Sequence, residues 1–170
     1  MILGFSDYRP QAQRLAQALG LPYREVETHR FPDGECKLRL PERLPERVIF
    51  CRSLDRPDPK LVELLLASAT ARELGAHELT LVAPYLCYMR QDMAFHPGEA
   101  VSQRIVGRWL AELFETIITV DPHLHRISQL SEVMPASRGI SLSAGPLLAA
   151  FLRQRAGNAL LVGPDSESRQ

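Results

Sequence analysis

The sequence has little cysteine, few aromatic residues and no net charge, and each shortage excludes a class of protein. Of its 170 residues, three are cysteines and 6% are aromatic, and 20 Lys plus Arg balance 20 Asp plus Glu. The zero balance argues against a general binder of nucleic acid or of an anionic membrane surface, because such binding needs an excess of cationic groups. Any anion that the protein binds must therefore be held by a few local groups.

The cysteine pattern and the missing long apolar runs bear on the compartment. Cys36, Cys51 and Cys87 are odd in number and widely spaced, and none belongs to a C-x-x-C pair or a Cys/His cluster. The first residues turn polar at Ser6 and Asp7 without a basic segment before a long apolar one, and no run of about 18 apolar residues occurs. We therefore expect a cytoplasmic protein with reduced thiols, without a signal peptide or a membrane span.

Short apolar runs alternate with segments whose apolar residues recur at helical spacing. The runs of strand length are 2–5, 48–51, 79–83, 116–120 and 159–162. This alternation predicts an α/β domain of three layers, with a parallel sheet between two layers of helices. Between residues 24 and 40 the pattern is shorter and more polar, and Phe31-Pro-Asp-Gly34 is typical of a turn. We expect a short antiparallel excursion there.

Two of the predicted helices have well-defined features. One begins with Asp58 as the capping residue and Pro59 at the first helical position, and it runs to Gly75. Its expected apolar stripe contains Leu61, Val62, Leu65, Leu66, Ala69 and Leu74. The last predicted helix places four apolar residues on its buried side: Leu147, Leu148, Phe151 and Leu152.

Polar residues follow three of the predicted strands, where parallel sheets bind their ligands. These segments are Arg90-Gln-Asp92, Asp121-Pro-His123 and Gly163-Pro-Asp165. Two carboxylates and an imidazole from these strand ends could bind a hard divalent cation, and a guanidinium could neutralise phosphate oxygens. The alternative is that Asp121 and Asp165 cap helices and that His123 packs locally.

Several catalytic and phosphate-binding motifs are missing. The sequence contains no G-x-x-x-x-G-K-[ST] and no G-x-G-x-x-G after the first strand, so neither of these phosphate loops is present. It also lacks G-x-S-x-G, H-E-x-x-H and zinc-spaced Cys/His sets, which argues against the corresponding hydrolases and zinc enzymes.

Four motifs in order resemble the series of the ribose-phosphate pyrophosphokinases, the PRPP synthetases. They are His29-Arg-Phe-Pro-Asp-Gly-Glu35, Pro84-Tyr-Leu-Cys-Tyr-Met-Arg-Gln-Asp92, Asp121-Pro-His123 and Gly163-Pro-Asp165. The resemblance implies a type I phosphoribosyltransferase-like fold. It also implies transfer of pyrophosphate from Mg-ATP to ribose 5-phosphate, which gives PRPP and AMP. The expected partners are therefore the two substrates, ATP and ribose 5-phosphate, and the expected cofactor is Mg²⁺. Neither nucleic acid nor a membrane is an expected partner.

The resemblance also implies roles for individual residues. Phe31, Asp33 and Glu35 would approach the adenine bound to a neighbouring subunit, so that a homo-oligomer is expected. The Arg-Gln-Asp motif would line the ATP site with three residues: Arg90, Gln91 and Asp92. Metal binding would fall to His123 and Asp165, with Asp121 as a further candidate.

The chain departs from the family pattern in one loop and in length. Met93-Ala-Phe-His-Pro-Gly-Glu99 stands where the family commonly has a charged run, so the loop carries less positive charge. The whole of 1–170 matches the ATP-side, N-terminal domain, and we expect that the ribose-phosphate-binding half and the catalytic loop are absent and that this chain alone is inactive. Two alternatives remain. One is a non-catalytic regulatory homologue that binds a synthetase, and the weaker one is a phosphoribosyltransferase that uses PRPP.

Overall fold

The computed structural model describes residues 1–156, 160, 162 and 163. The strands are β1 Ile2–Gly4, β2 Tyr23–Glu25, β3 Glu27–Arg30, β4 Cys36–Arg39, β5 Arg47–Cys51, β6 Glu78–Val82, β7 Thr116–Val120 and β8 Arg138–Leu142. The helices are α1 Arg9–Leu19, α2 Pro57–Glu73, α3 Ser102–Leu113 and α4 Gly145–Arg155. No helix in this part of the chain is long and apolar enough to cross a membrane.

Six strands form one sheet in the order β2-β1-β5-β6-β7-β8, and every neighbouring pair is parallel. Successive side chains of a strand point to opposite faces, so Ile2 and Leu3 enter different cores. Leu3 belongs to the larger core with residues of α2 and α3, whereas Ile2 packs with Ala12 and Ala16 of α1. Helices therefore cover both faces of the sheet, which confirms the predicted three-layer α/β fold.

The close packing of α1 on the sheet depends on Gly4 at the end of β1. A Cβ atom at this position would lie 2.8 Å from Ala12 Cβ and 2.8 Å from the Tyr23 ring. Both distances are shorter than van der Waals contact, so a larger residue would push α1 and β2 away from β1.

The antiparallel excursion is confirmed with narrower limits. Strands β3 and β4 pair in antiparallel register from Glu27 opposite Arg39 to Arg30 opposite Cys36. Residues 24 and 25 belong instead to β2, the parallel edge strand of the main sheet. The hairpin is a separate two-stranded sheet that shares no strand pairing with the main one.

The predicted start of α2 was wrong, and of its predicted stripe only Leu61 is buried and only Leu74 is half-buried against the core. The helix begins at Pro57, after Arg56 in the left-handed conformation, and Asp58 lies in its first turn without capping it. Asp58 instead accepts a hydrogen bond from the Tyr88 hydroxyl, which raises the pKa of Tyr88. The buried face contains Leu61, Glu63, Leu64, Ala67, Ser68 and Ala71, whereas Val62, Leu65 and Leu66 are exposed. A helix with apolar residues on most sides leaves the buried face undetermined by sequence spacing.

The carboxyl-terminal part of the described chain also differs from the prediction. Strand β8 was not predicted, because Arg138-Gly-Ile-Ser-Leu142 has too few apolar residues to stand out. Helix α4 forms as predicted, but it buries none of its residues, and Leu147, Leu148, Phe151 and Leu152 are all exposed. The strand predicted at 159–162 lies largely outside the described residues.

Candidate functional site

A cavity of about 610 Å³ opens at the carboxyl edge of the sheet, between the segments that follow β6 and β7. Its lining consists of Tyr85, Leu86, Met89, Arg90, Val120, Asp121, Pro122, His123, Leu124 and His125. The volume lies within the range of about 300–1,000 Å³ that is common for small-molecule sites. Three residues predicted from sequence, Arg90, Asp121 and His123, thus line one cavity.

Backbone hydrogen bonds hold the two walls of the cavity together. The carbonyl of Pro84, just after β6, accepts from the amide of Val120 at 3.1 Å and from the Thr119 hydroxyl at 3.2 Å. Leu54, which follows β5, donates its amide to the Tyr85 carbonyl at 3.0 Å. The position of each wall is therefore set by the strands themselves.

Asp121 is partly engaged in a structural contact. Its φ is 42°, and its amide donates to the Leu142 carbonyl at 2.9 Å. Its Oδ2 accepts from the amide of Ala144, the residue that precedes α4, at 2.9 Å. The helix-capping alternative therefore applies to one oxygen of Asp121, and the other oxygen has no hydrogen-bond partner among the described residues.

His123 is an exposed residue of the cavity wall, and a second histidine accompanies it. The ring centroids of His123 and His125 lie 5.9 Å apart with an angle of 30° between the planes. Sequence reasoning missed His125, although the alternation His-Leu-His was a visible signal. Together with exposed Arg90, these rings give the cavity the side chains to bind a phosphate-bearing anion.

The residues of the Arg-Gln-Asp motif point in different directions. Gln91 donates its side-chain amide to the Met93 carbonyl at 3.0 Å, within its own loop. The Asp92 side chain is only 4% exposed, with Oδ1 3.4 Å from Arg126 Nε and Oδ2 3.7 Å from His125 Nδ1. Of the three, Arg90 alone lines the cavity, and Asp92 packs behind the wall that carries His123.

The altered loop after Asp92 is closed by a local contact. The Glu99 carboxylate accepts from the Phe95 amide at 2.7 Å and lies 2.7 Å from His96 Nδ1. The hydrogen bond from His96 holds the pKa of Glu99 below its usual value. Phe95 is exposed and lines no part of the cavity.

The hairpin turn lies apart from this cavity. Phe31 is 40% exposed and packs edge-on against the His29 ring, with centroids 4.9 Å apart. Asp33 Oδ1 accepts from the Glu35 amide at 3.1 Å and shapes the turn. None of these three candidates lines the cavity within one chain, and the hypothesis that they serve a neighbouring subunit stays a prediction.

The side chains of the cavity are suited to a metal ion that is bound in part by the phosphate groups of a ligand. Among residues 1–156, 160, 162 and 163, no group of three or more His, Cys, Asp or Glu side chains is placed to hold a metal. The Asp121 oxygen that has no hydrogen-bond partner among the described residues nevertheless fits Mg²⁺, which commonly takes one or two carboxylates together with waters and phosphate oxygens. The His123 imidazole can contact a water of the ion or donate to a phosphate oxygen. Asp165, the third predicted ligand, lies outside the described residues.

Comparisons with known proteins agree on one group of relatives. Residues 1–116 match the family described as the N-terminal domain of ribose phosphate pyrophosphokinase. A ribose-phosphate pyrophosphokinase of Methanopyrus kandleri is 35% identical over 173 residues, covering 100% of this chain and 58% of that protein. One from Saccharolobus solfataricus is 39% identical over 126 residues, covering 72% of this chain and 43% of that protein. The chain thus spans about half the length of the curated relatives that it matches.

A solved structure supports the same fold. Phosphoribosylpyrophosphate synthetase from Mycobacterium smegmatis superimposes with a TM-score of 0.76, at 21% identity, over 91% of this chain and 52% of the other. At this identity the likeness bears on the fold.

Proposed function

The chain belongs to the ribose-phosphate pyrophosphokinase family, and from that premise we propose that it binds ATP with Mg²⁺ at the carboxyl edge of its sheet. The observation that carries the proposal is the shared cavity, whose two walls present Arg90 and His123. These residues come from segments 33 positions apart in sequence, and both were candidates on the motif series alone.

The roles of the residues follow from their chemistry. The Arg90 guanidinium would donate to phosphate oxygens of ATP in a charge-assisted contact. Asp121 and His123 would hold Mg²⁺ together with Asp165, and the ion would neutralise charge that spreads over the phosphate oxygens during transfer. Gln91 and Asp92 would act on the shape of the site, since Asp92 contacts the wall behind His123.

The hairpin turn would complete the site of another subunit. Phe31 offers an exposed ring for stacking on adenine, and Asp33 and Glu35 offer acceptors for its amino group. We therefore propose a cytoplasmic homo-oligomer in which each chain contributes a cavity for the phosphates and a turn for the base.

The complete protein would transfer pyrophosphate from ATP to the anomeric hydroxyl of ribose 5-phosphate and release AMP and PRPP. The ribose-phosphate side of that reaction would belong to the half of the relatives that this chain does not match, so the 170-residue chain would bind ATP without turning it over. Formation of PRPP by the 170-residue chain alone would contradict this part of the proposal.

Calorimetric titration of Mg-ATP tests the site directly. The wild-type chain is expected to bind, and an Arg90→Ala, His123→Ala double variant is expected to lose binding. Arg43→Ala is the matched control, because Arg43 is an exposed arginine in the loop before β5, at the opposite edge of the sheet. Loss of binding in the control as well, or retention in the double variant, would contradict the proposed site.

The altered loop supports a second candidate, a non-catalytic homologue that regulates a synthetase. Between Arg90 and Arg104 the chain has no Lys or Arg, and Glu99 is occupied by its own loop. Stable copurification with an active synthetase, without binding of Mg-ATP by this chain, would favour this second candidate.

A further inference from the structure

The hairpin needs an anchor, because β3 and β4 share no backbone pairing with the main sheet. An isolated two-stranded hairpin is marginal in water, so its orientation depends on side-chain contacts with the body. All four residues of β3 are exposed. Apolar contact comes from Leu38 and from the buried residues Val26 and Leu40 at the ends of the hairpin.

A buried carboxylate of α2 supplies the remaining anchor. Glu63 is 7% exposed at its side chain and receives two arginines, one on each oxygen. Arg30 Nη2 of the hairpin donates to Oε1 at 2.9 Å, and Arg52 Nη1, just after β5, donates to Oε2 at 2.6 Å. Glu63 thus joins the hairpin to the central sheet through two charge-assisted hydrogen bonds.

Arg30 also holds the turn of the hairpin. Arg30 Nη1 donates to the Gly34 carbonyl at 2.9 Å while Nη2 is on Glu63. The rigid fork of a guanidinium fixes the two acceptors relative to each other, which the point charge of a lysine would not do. The planar guanidinium of Arg30 therefore links the turn that carries Phe31 to α2.

The sheet side of the anchor is itself fixed. The Arg52 guanidinium lies 4.1 Å from the centroid of the Phe5 ring and pairs through Nε with Asp7 at 3.1 Å. Lys60 pairs with Asp7 and with Asp55, each at 3.1 Å. Glu63 therefore bonds to a guanidinium that cannot follow the hairpin if the hairpin moves.

We propose that Glu63 is a positioning residue for nucleotide binding: it sets the orientation of the hairpin turn so that the turn meets the base of the nucleotide. This inference rests on the proposed function, in which the turn approaches adenine and the cavity around Arg90 takes the phosphates. It predicts that loss of the anchor weakens recognition of the base and leaves recognition of the phosphates intact.

Two variants and one control test this role. Glu63→Gln keeps the size of the side chain and removes its charge, and Arg30→Gln removes the hairpin side while it leaves the buried Glu63–Arg52 pair in place. Glu27→Gln is the matched control, because Glu27 pairs with Arg39 on the same hairpin at an exposed position. Amide hydrogen exchange measures the stability of the turn. Binding is measured with two ligands, Mg-ATP and Mg-tripolyphosphate, and the second of these has phosphates but no base.

Within the turn, the Phe31 amide donates to the Glu35 carbonyl and the Gly34 amide donates to the Phe31 carbonyl. We expect both amides to exchange about tenfold faster in both variants, and the amide of Ile49 in β5 to exchange at the wild-type rate. Mg-ATP is expected to bind about tenfold more weakly and Mg-tripolyphosphate as in wild type. Glu27→Gln should change none of these values.

Three results would overturn the inference. Turn amides that exchange at the wild-type rate would show that Glu63 does not hold the turn. Equal weakening of Mg-ATP and Mg-tripolyphosphate, or unchanged binding of both, would show that the anchor does not serve the base. A wild-type chain that binds neither probe would overturn the proposed function and this role with it, and that result comes from the unaltered chain.

Discussion

Arg30 of the hairpin and Arg52, which follows β5 of the main sheet, are paired with carboxylates, whereas Arg90 at the cavity has no carboxylate partner among the described residues. Arg30 and Arg52 share Glu63, and Arg52 also contacts Asp7. These ion pairs fix the geometry of the anchor, and they occupy guanidinium donors that a ligand would otherwise use. Arg90 is exposed, and no residue of the described part of the chain occupies its donors, so they can bind an incoming anion. The comparison separates arginines that shape the molecule from Arg90, whose donors can bind a ligand.

The largest effect is expected on stability at the hairpin anchor. Glu63→Ala leaves the Arg52 guanidinium, which is 7% exposed, with Asp7 as its remaining carboxylate. Removal of one partner of a buried pair costs about 3 kcal/mol of the free energy of unfolding. Urea denaturation followed by circular dichroism measures this loss. Glu27→Ala should differ from wild type by no more than about 0.5 kcal/mol, because its ion pair is exposed.

Thiol reactivity sharpens the contrast between the hairpin and the sheet. Burial raises the pKa of Cys51, at the end of β5, to about 11 and that of Cys87 to about 12, whereas Cys36 on the hairpin is half-buried. At pH 8 the raised pKa reduces the thiolate of Cys51 about a hundredfold relative to an ordinary cysteine. Mass spectrometry after a maleimide pulse should find Cys36 labelled first, and early labelling of Cys51 or Cys87 would contradict the packing described for the sheet.

Arg90→Ala tests the other side of the comparison. Loss of a charge-assisted contact with phosphate is expected to weaken binding of Mg-ATP about tenfold. Stability should change by less than about 0.5 kcal/mol, because an exposed side chain without partners contributes little to folding. Calorimetry and urea denaturation on the same preparation separate the two effects. A large loss of stability would place Arg90 with the structural arginines.

The smallest effect concerns pH at the edge of the anchor. The hydrogen bond from Lys60 lowers the pKa of Asp55, so this pair stabilises the folded state above the usual carboxyl pKa of about 4 and ceases to do so as the pH falls through the lowered value. Because Asp55 is exposed, the contribution is about 0.5 kcal/mol. Denaturation of wild type and Asp55→Asn between pH 6 and 2 should give two curves that converge in acid, and a constant difference would contradict this assignment.

The alternation of strands and helices was predictable from sequence because most strands are short apolar runs between periodic segments. Strand β8 was missed since its few apolar residues gave no such signal, and the buried face of α2 was misassigned since Val62, Leu65 and Leu66 extend its apolar surface around the helix. Periodicity reports which residues are apolar, whereas the direction from which the sheet packs decides which of them are buried.

The candidate site was predictable in its location and less so in its detail. The positions after parallel strands indicated the cavity, and the motif order indicated Arg90 and His123. No local pattern could show that Asp92 turns toward Arg126, that Asp121 shares an oxygen with the start of α4, or that Glu63 bonds to two arginines. Each of these contacts joins segments that come together only in the folded chain.

The carbonyl of Pro84 has a consequence for how the cavity can vary among related proteins. It is a main-chain atom, and it accepts from the amide of Val120 and from the Thr119 hydroxyl across two adjacent strands. Most substitutions cannot remove the bond between the Val120 amide and the Pro84 carbonyl, because both groups belong to the main chain. The spacing between the walls therefore depends on the register of the strands rather than on any side chain. We therefore expect that substitutions of the residues that line the walls change the ligand preference more readily than the width of the opening.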